Sequence, residues 1–381
     1  MKNLTTILIV DDSLIFRKIV QKCLDGEDDI KVIGSVRNGV KAMEFIRTQR
    51  PDLITLDIEM PEMNGIQTLQ EIQRFNSEFD DLPPIGVIML SAFTKKGADI
   101  TIKALERGAF DFITKPEGNN QQKNFSSLRR QLLAKIRYFT SRRIASRNRS
   151  TASQIQSKNK ENKLEKSQKD VSQKENNQKQ LSCPIVRKTR IKAILIGVST
   201  GGPRALMTVV PELCQSVDIP ILIVQHMPPK FTESLAESLN SKCRHNVLEA
   251  KNDQTIEKQH VYIAPGGKHM VIGRKGAILT IKINEEPPEH GCRPSVDVLF
   301  RSAEPILGGD IVAVILTGMG TDGTNGLSYL KQSGAYVVAQ DEATSVVWGM
   351  PGSAVRSGFV DEVQPLEKIS ECVVGILQKR V

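Results

Sequence analysis

The chain has 381 residues, 39% hydrophobic and 25% charged, with a net charge of +9 at pH 7. That length points to two domains rather than one. No apolar run reaches the roughly 18 residues of a membrane span, and the opening "MKNLTTILIVDDS" has too short an apolar run for a secretory signal. Six cysteines, at positions 23, 183, 214, 243, 292 and 372, form no CxxC pair. Neither a zinc site nor a disulfide framework is indicated, and a cytoplasmic protein is expected.

Residues 5–116 alternate short apolar runs with amphipathic ones. "TTILIVDD" reads as a buried strand and Ser13 to Leu24 as a helix. "IKVIGSV" is a strand, 39–49 a helix and "DLITLDI" a strand. "NGIQTLQEIQRF" is a helix, "PIGVIMLSA" a strand, "ADITIKALERG" a helix, "FDFITKP" a strand and "FSSLRRQLLAKIRYF" a last helix. Five strands each followed by a helix predict a parallel sheet covered on both faces.

Basicity collects in the next stretch. Glu117 to Arg190 carries nineteen Lys/Arg against five Asp/Glu, a net of +14, so the remainder stands at −5. From 143 to 189 Ser, Gln, Asn and Lys dominate, without aromatics. Such a segment buries too little apolar surface to offset its ordering entropy, so a disordered, solvated linker is expected. Confined there, the charge gives no support to a nucleic-acid partner.

From 191 onward the alternation resumes with "KAILIGV", "PILIVQH", "HVYIAP", "IVAVILTG" and "AYVVAQD" as strands. "VIGRKGAILTIKI" reads as a hairpin about Gly276. Helices are expected near 203–213, 229–242, 295–306, 324–332 and 366–379. This predicts a larger, doubly wound α/β domain with one antiparallel insertion.

Strand ends carry the chemistry in both domains. In the first, Asp11 and Asp12 close one strand and Asp57 another, Ser91 follows a third and Lys115 a fourth. Parallel sheets bring such ends to one edge. Three carboxylates there repel unless a cation such as Mg²⁺ binds, and with a hydroxyl and an ammonium they suit phosphoryl transfer. "VDDS", "LDIEMPEMNG", "LSA" and "GAFDFITKP" resemble the signature of two-component receiver domains, whose fold is a five-stranded, flavodoxin-like parallel sheet. The resemblance implies Asp57 as phosphoacceptor, with Asp11, Asp12 and the backbone carbonyl of Glu59 as Mg²⁺ ligands. It makes Ser91, Lys115 and the aromatic Phe112 the groups that relay the phosphoryl signal.

In the second domain Ser199, His226 and Asp322 follow three different strands. A hydroxyl becomes nucleophilic when a base takes its proton, and a histidine base needs an anion to fix its tautomer. The glycine-rich "TGMGTDGTNG" can bring backbone N–H groups to a tetrahedral oxyanion. His269 at a turn and Asp341 after "YVVAQ" are rivals for the base and the acid. Asp297 reads as a satisfied helix residue, and His245, His260 and His290 as surface residues. The chain order Ser, His, Asp differs from the Ser, Asp, His of α/β-hydrolases, so the G-x-S-x-G spelling at 197–201 does not argue for that fold.

"IGVSTGGPRAL", "VQHMPPKFTESLAESLN", "VYIAPGGKHM", "RPSVDVLFRSAE", "VILTGMGTDGTNGL" and "VVWGMPGSAV" resemble the catalytic domain of the chemotaxis receptor methylesterase family (CheB). The resemblance implies Ser199 as nucleophile, His226 as base, Asp322 as its orienting partner, Met319 as a backbone oxyanion donor and Thr200 as a support for the histidine. It divides the chain into a receiver at 1–120 with its last helix running to about 142, a linker at 143–189 and an esterase at 190–381. It implies hydrolysis of glutamate γ-methyl esters, and deamidation of glutamines, on methyl-accepting chemotaxis receptors. The phosphodonor would be the chemotaxis histidine kinase, Mg²⁺ would serve the receiver alone, and a monomer is expected. The unphosphorylated receiver is expected to cover the esterase edge. The readings from other classes are a binding module without turnover and a DNA-binding response regulator.

Overall fold

The computed structural model describes residues 4–79, 82–118, 120–161 and 190–379. Its first domain runs β1 (Thr5–Val10), α1 (Leu14–Leu24), β2 (Ile30–Val36), α2 (Gly39–Thr48), β3 (Leu53–Asp57), α3 (Gly65–Glu78), β4 (Gly86–Ser91), α4 (Lys95–Glu106), β5 (Asp111–Thr114) and α5 (Gln121–Glu161). Polar N-caps start the helices: Ser13, Asn38, Asn64 and Thr94 each accept a backbone N–H of the first turn. The five parallel strands lie in the order β2-β1-β3-β4-β5, the flavodoxin-like arrangement.

The second domain runs β6 (Ala193–Val198), α6 (Gly202–Ser216), β7 (Ile221–Gln225), α7 (Phe231–Asn240), β8 (Asn246–Glu249), β9 (His260–Ile263), β10 (His269–Lys275), β11 (Ile278–Asn284), α8 (Val296–Leu307), β12 (Ile311–Ile315), α9 (Thr324–Gln332), β13 (Tyr336–Gln340), α10 (Met350–Arg356), β14 (Glu362–Gln364) and α11 (Ile369–Lys379). Seven parallel strands take the order β14-β13-β12-β6-β7-β9-β8, and β10 and β11 form the expected separate antiparallel pair. The central strands β6, β7 and β12 are wholly buried, as their unbroken aliphatic runs require. The sequence pattern missed the short strands β8 and β14 and the helix α10.

The two domains share their cores. Phe112, Ile102 and Leu105 of the first lie in one apolar cluster with Phe231, Leu235 and Leu239 of the second. Val346, Val347 and Met319 pack into the other face of the first domain, beside Phe110 and Phe139. The helix expected to stop near 142 continues to Glu161 as part of α5. Residues 143–161 contain neither glycine nor proline, so nothing local breaks the turn pattern once α5 has nucleated. The rest of the expected linker, 162–189, lies outside the described residues. No described helix is long and apolar enough to cross a membrane.

Candidate active site

The carboxyl ends of β6, β7 and β12 meet at one edge. His226 follows β7 with its backbone N–H bonded to Val198 at the end of β6. Its Nε2 lies 2.7 Å from Oδ2 of Asp322, which stands in the loop between β12 and α9. Asp322 is 2% exposed, and its surroundings explain how a carboxylate tolerates that. Oδ2 also accepts the Val296 N–H at 2.7 Å, and Oδ1 accepts Ser295 Oγ at 2.9 Å and the N–H groups of Asp297 and Gly323 at 3.0 Å. Three of these donors are the cap and first turn of α8, whose N-terminus favours an anion. Burial would raise the Asp322 pKa, but the His226 bond and charge and the α8 N–H groups hold it down at about 2. Burial likewise opposes the charged form of His226, and Asp322 together with the sulfur of Cys292 overturns this and raises it.

Ser199 sits on a turn pinned from three sides. Its N–H bonds Thr317 O at 3.0 Å, and its carbonyl accepts Gly202 N–H at 2.8 Å and Gln225 Nε2 at 2.9 Å. Gly201 holds φ at 77°, a left-handed conformation that favours glycine. Gly318 brings the Met319 loop against the serine: a Cβ there would lie 2.8 Å from Cβ of Ser199 and 2.4 Å from the Met350 sulfur. Among the described residues no acceptor takes the Met319 N–H, as an oxyanion donor requires. Ser199 and His226 line the same cleft. No described residue hydrogen-bonds Ser199 Oγ, and the second ring nitrogen of His226, Nδ1, faces Cys292 Sγ at 3.5 Å. Ser199 and His226 are thus neighbours without a direct bond, a common looseness before substrate binds.

The rivals are occupied elsewhere. His269 is buried, accepting Ser295 N–H at Nδ1 and meeting Pro287 O through Nε2 at 3.1 Å. Asp341 caps its own turn through Thr344. Asp297 accepts Gly326 N–H and pairs with His290 at 3.0 Å. His245, expected at the surface, is 4% exposed.

At the edge of the first domain one carboxylate oxygen each from Asp11, Asp12 and Asp57 lies within 4.8 Å of the others. Lys115 Nζ is 2.8 Å from Asp11 Oδ2 and 2.9 Å from Asp57 Oδ1. Asp11 and Asp57 are buried, so one ammonium answers two desolvated carboxylates, and the exposed Asp12 adds a third acidic group beside them. Burial pushes the Asp57 carboxyl up to about 6, against the pull of Lys115 and with the repulsion of Asp11. This surplus of hard oxygen donors fits a divalent cation such as Mg²⁺. Glu59 sends its side chain out to Lys96 at 2.9 Å, which leaves its carbonyl as the part of that residue available to an ion. Ser91 Oγ is turned toward the Gly97 carbonyl and accepts Thr101 Oγ1 at 2.8 Å.

The domains meet over the serine. Thr200, expected to support the histidine, instead donates to Asp111 Oδ2 of the first domain at 2.8 Å, and Lys135 holds the same carboxylate. The Phe112 ring stacks on Phe231 with centroids 4.7 Å apart. Asp111, Phe112, Lys135, Ser199 and His226 line one cleft. Along α4 and α7, Lys95 reaches Glu237 at 2.8 Å and Glu233 at 3.4 Å, and just beyond α7 Lys242 reaches Glu106 at 2.9 Å.

The profile described as CheB methylesterase matches residues 194–373, and that of the response regulator receiver domain matches 7–124. A protein-glutamate methylesterase/protein-glutamine glutaminase of Desulfotalea psychrophila is 45% identical over 98% of this chain and 98% of its own. One of the same name from Trichodesmium erythraeum is 40% identical over 97% of each. The chain belongs to the CheB methylesterase family. Among solved structures, the Thermotoga maritima CheB methylesterase catalytic domain is 40% identical, covering 49% of this chain and 98% of that one with a TM-score of 0.48.

Four residues of this edge escaped the sequence reading: Gln225, Ser295, Thr317 and Cys292. Gln225 closes an otherwise aliphatic strand, a signal that a buried polar group has a partner. Ser295 has the residue type of a helix cap before "VDVLF". Nothing in the sequence placed Cys292 beside His226.

Proposed function

We propose that this protein hydrolyses glutamate γ-methyl esters, and deamidates glutamines, on cytoplasmic segments of methyl-accepting chemoreceptors, under control of phosphorylation at Asp57. The observation that carries the esterase reading is the His226–Asp322 bond at the edge that also holds Ser199 and the Gly318–Gly320 loop. Ser199 Oγ attacks the ester carbonyl and its proton passes to His226. The oxyanion is met by the Met319 N–H, and collapse expels methanol with the proton from His226. Water then cleaves the acyl-enzyme by the same route. A glutamine would expel ammonia instead. With Nε2 committed to Asp322, the nitrogen that serves Ser199 is Nδ1, so Cys292 must yield that position during turnover.

The receiver (1–120), with its last helix, would act as a cover over the esterase (190–381). Asp11, Asp12, Asp57 and the Glu59 carbonyl would hold Mg²⁺, which supplies positive charge for phosphoryl transfer to Asp57. A phosphoryl group there offers Lys115 and Ser91 new acceptors. Turning Ser91 away from Gly97 and Thr101 disturbs the start of α4, which carries Lys95 and Glu106 of the domain contact, and so loosens the cover. Adaptation in chemotaxis, a chemotaxis histidine kinase as donor and a cytoplasmic monomer follow from this reading.

The test is methanol release from methylated receptor. Ser199→Ala is expected to lose the activity by about four orders of magnitude or more. Wild type should accelerate with a small phosphodonor and Mg²⁺, and Asp57→Asn should not. Equal release by wild type and Ser199→Ala would leave only a binding role.

A further inference from the structure

Cys292 lies in the loop before α8, half-buried, with Sγ 3.5 Å from Nδ1 of His226. Nε2 of the same ring is bonded to Asp322, which four further donors hold in place. Thiol, imidazole and anchored carboxylate therefore stand in series. The imidazole is placed to take the thiol proton, which is how a sulfur nucleophile is activated. Both neighbours of His226 favour its charged form. Among the described cysteines, Cys23 and Cys214 are buried, and Cys372 donates to Glu362 at 3.1 Å. Cys292 alone among them faces a histidine ring nitrogen.

We propose that Cys292, His226 and Asp322 form a thiol site that reacts with small hydroperoxides, and that the oxidised sulfur occupies the His226 nitrogen needed by Ser199. The first half stands on this geometry; the second rests on His226 being the esterase base. With the thiol proton on Nδ1, the thiolate attacks one peroxide oxygen. An S–O bond forms as the O–O bond breaks, sulfur loses two electrons and the peroxide gains them. The departing hydroxide, or the alkoxide where the peroxide is organic, takes the proton from Nδ1 and leaves as water or as an alcohol. The product is a sulfenic acid whose hydroxyl can donate to the now neutral Nδ1. A thiol reductant displaces the sulfenic oxygen as water to form a mixed disulfide, and a second thiol releases the Cys292 thiol and frees the base. The site would make esterase output fall under oxidising conditions without any change at Asp57.

The experiment treats full-length protein with hydrogen peroxide. It traps sulfenic acid with dimedone, locates the adduct by peptide mass spectrometry and follows methanol release in parallel. Cys292 is expected to label in wild type, and about tenfold or more slowly in both His226→Gln and Asp322→Asn. Before trapping, wild-type methanol release should fall in step with the oxidised fraction and recover with dithiothreitol. Cys292→Ser, scaled to its own untreated rate, should hold that rate through the treatment. The proposal is overturned if Cys292 stays unlabelled, if both variants label as fast as wild type, or if wild type keeps its rate with Cys292 oxidised. A wild type no faster than Ser199→Ala before treatment would sink the esterase reading instead, and the labelling comparison would still decide the thiol site.

Discussion

Both domains set carboxylates at the carboxyl ends of parallel strands, and they treat the buried charge in opposite ways. In the receiver, Asp11 and Asp57 share one lysine and accept one backbone N–H each, from Ser13 and Ile58, and burial pushes the Asp57 carboxyl up to about 6. In the esterase, Asp322 is just as buried, yet it takes His226, a serine hydroxyl and three backbone N–H groups, and is held at about 2. The difference is the helix N-terminus that α8 aims at Asp322. A strand-end carboxylate left short of donors keeps capacity for a cation, as the proposed phosphoryl site would use. One supplied in full is a fixed anion, suited to hold an imidazole through many turnovers.

The sharpest way to break that contrast is Asp322→Asn. The amide cannot accept all five donors, and the ring loses its anion. Methanol release at limiting substrate should fall by about a thousandfold; a loss under about tenfold would remove the orienting role. The same pair predicts a pH window for stability, read from urea unfolding of wild type against Asp322→Asn. The depressed Asp322 pKa stabilises the fold above the ordinary carboxylate range near about 4, and this fades as pH falls toward 2. The raised His226 pKa stabilises it below about 6.5, and this fades as pH climbs through the higher folded value. The gap between the two proteins, on the order of 2 kcal/mol, should therefore be widest between those limits. A gap that grows below pH 4 would contradict the assignment.

Much of this was legible in the sequence, for physical reasons. Buried parallel strands are continuous aliphatic runs, so β1, β6, β7 and β12 and the polar residues that follow them announce themselves. Short edge strands such as β14 have no such run, and the Met-Pro-Gly start of α10 reads as a loop. The edge of the site was legible where one residue ends a strand, as for Ser199 and His226. It was not legible where tertiary packing chooses the partner. Thr200 is next to Ser199 in sequence but bonds a carboxylate of the other domain, and Cys292 reaches His226 across 66 positions.

The contact between the domains divides in the same spirit, into an apolar stack and a charged rim, and the two can be told apart. Phe112 is 8% exposed and lies on Phe231. Truncation in Phe112→Ala removes buried aromatic surface and the stack, so the unphosphorylated full-length protein should gain about tenfold in methanol release. That gain should be nearly independent of salt. No gain would mean that this stack does not hold the cover.

Lys95 offers the smallest effect and the finest discrimination. Its side chain is 39% exposed, and its partners Glu233 and Glu237 are 52% and 60% exposed. Ion pairs this wet contribute below about 1 kcal/mol each and weaken with ionic strength. Lys95→Gln should therefore raise resting activity by only about two- to fivefold at low salt, and by less as salt increases. Wild type should itself open slightly as salt rises, approaching the variant. If Lys95→Gln instead matched Phe112→Ala at every ionic strength, the charged rim would be the main closure, and the apolar stack merely what it aligns.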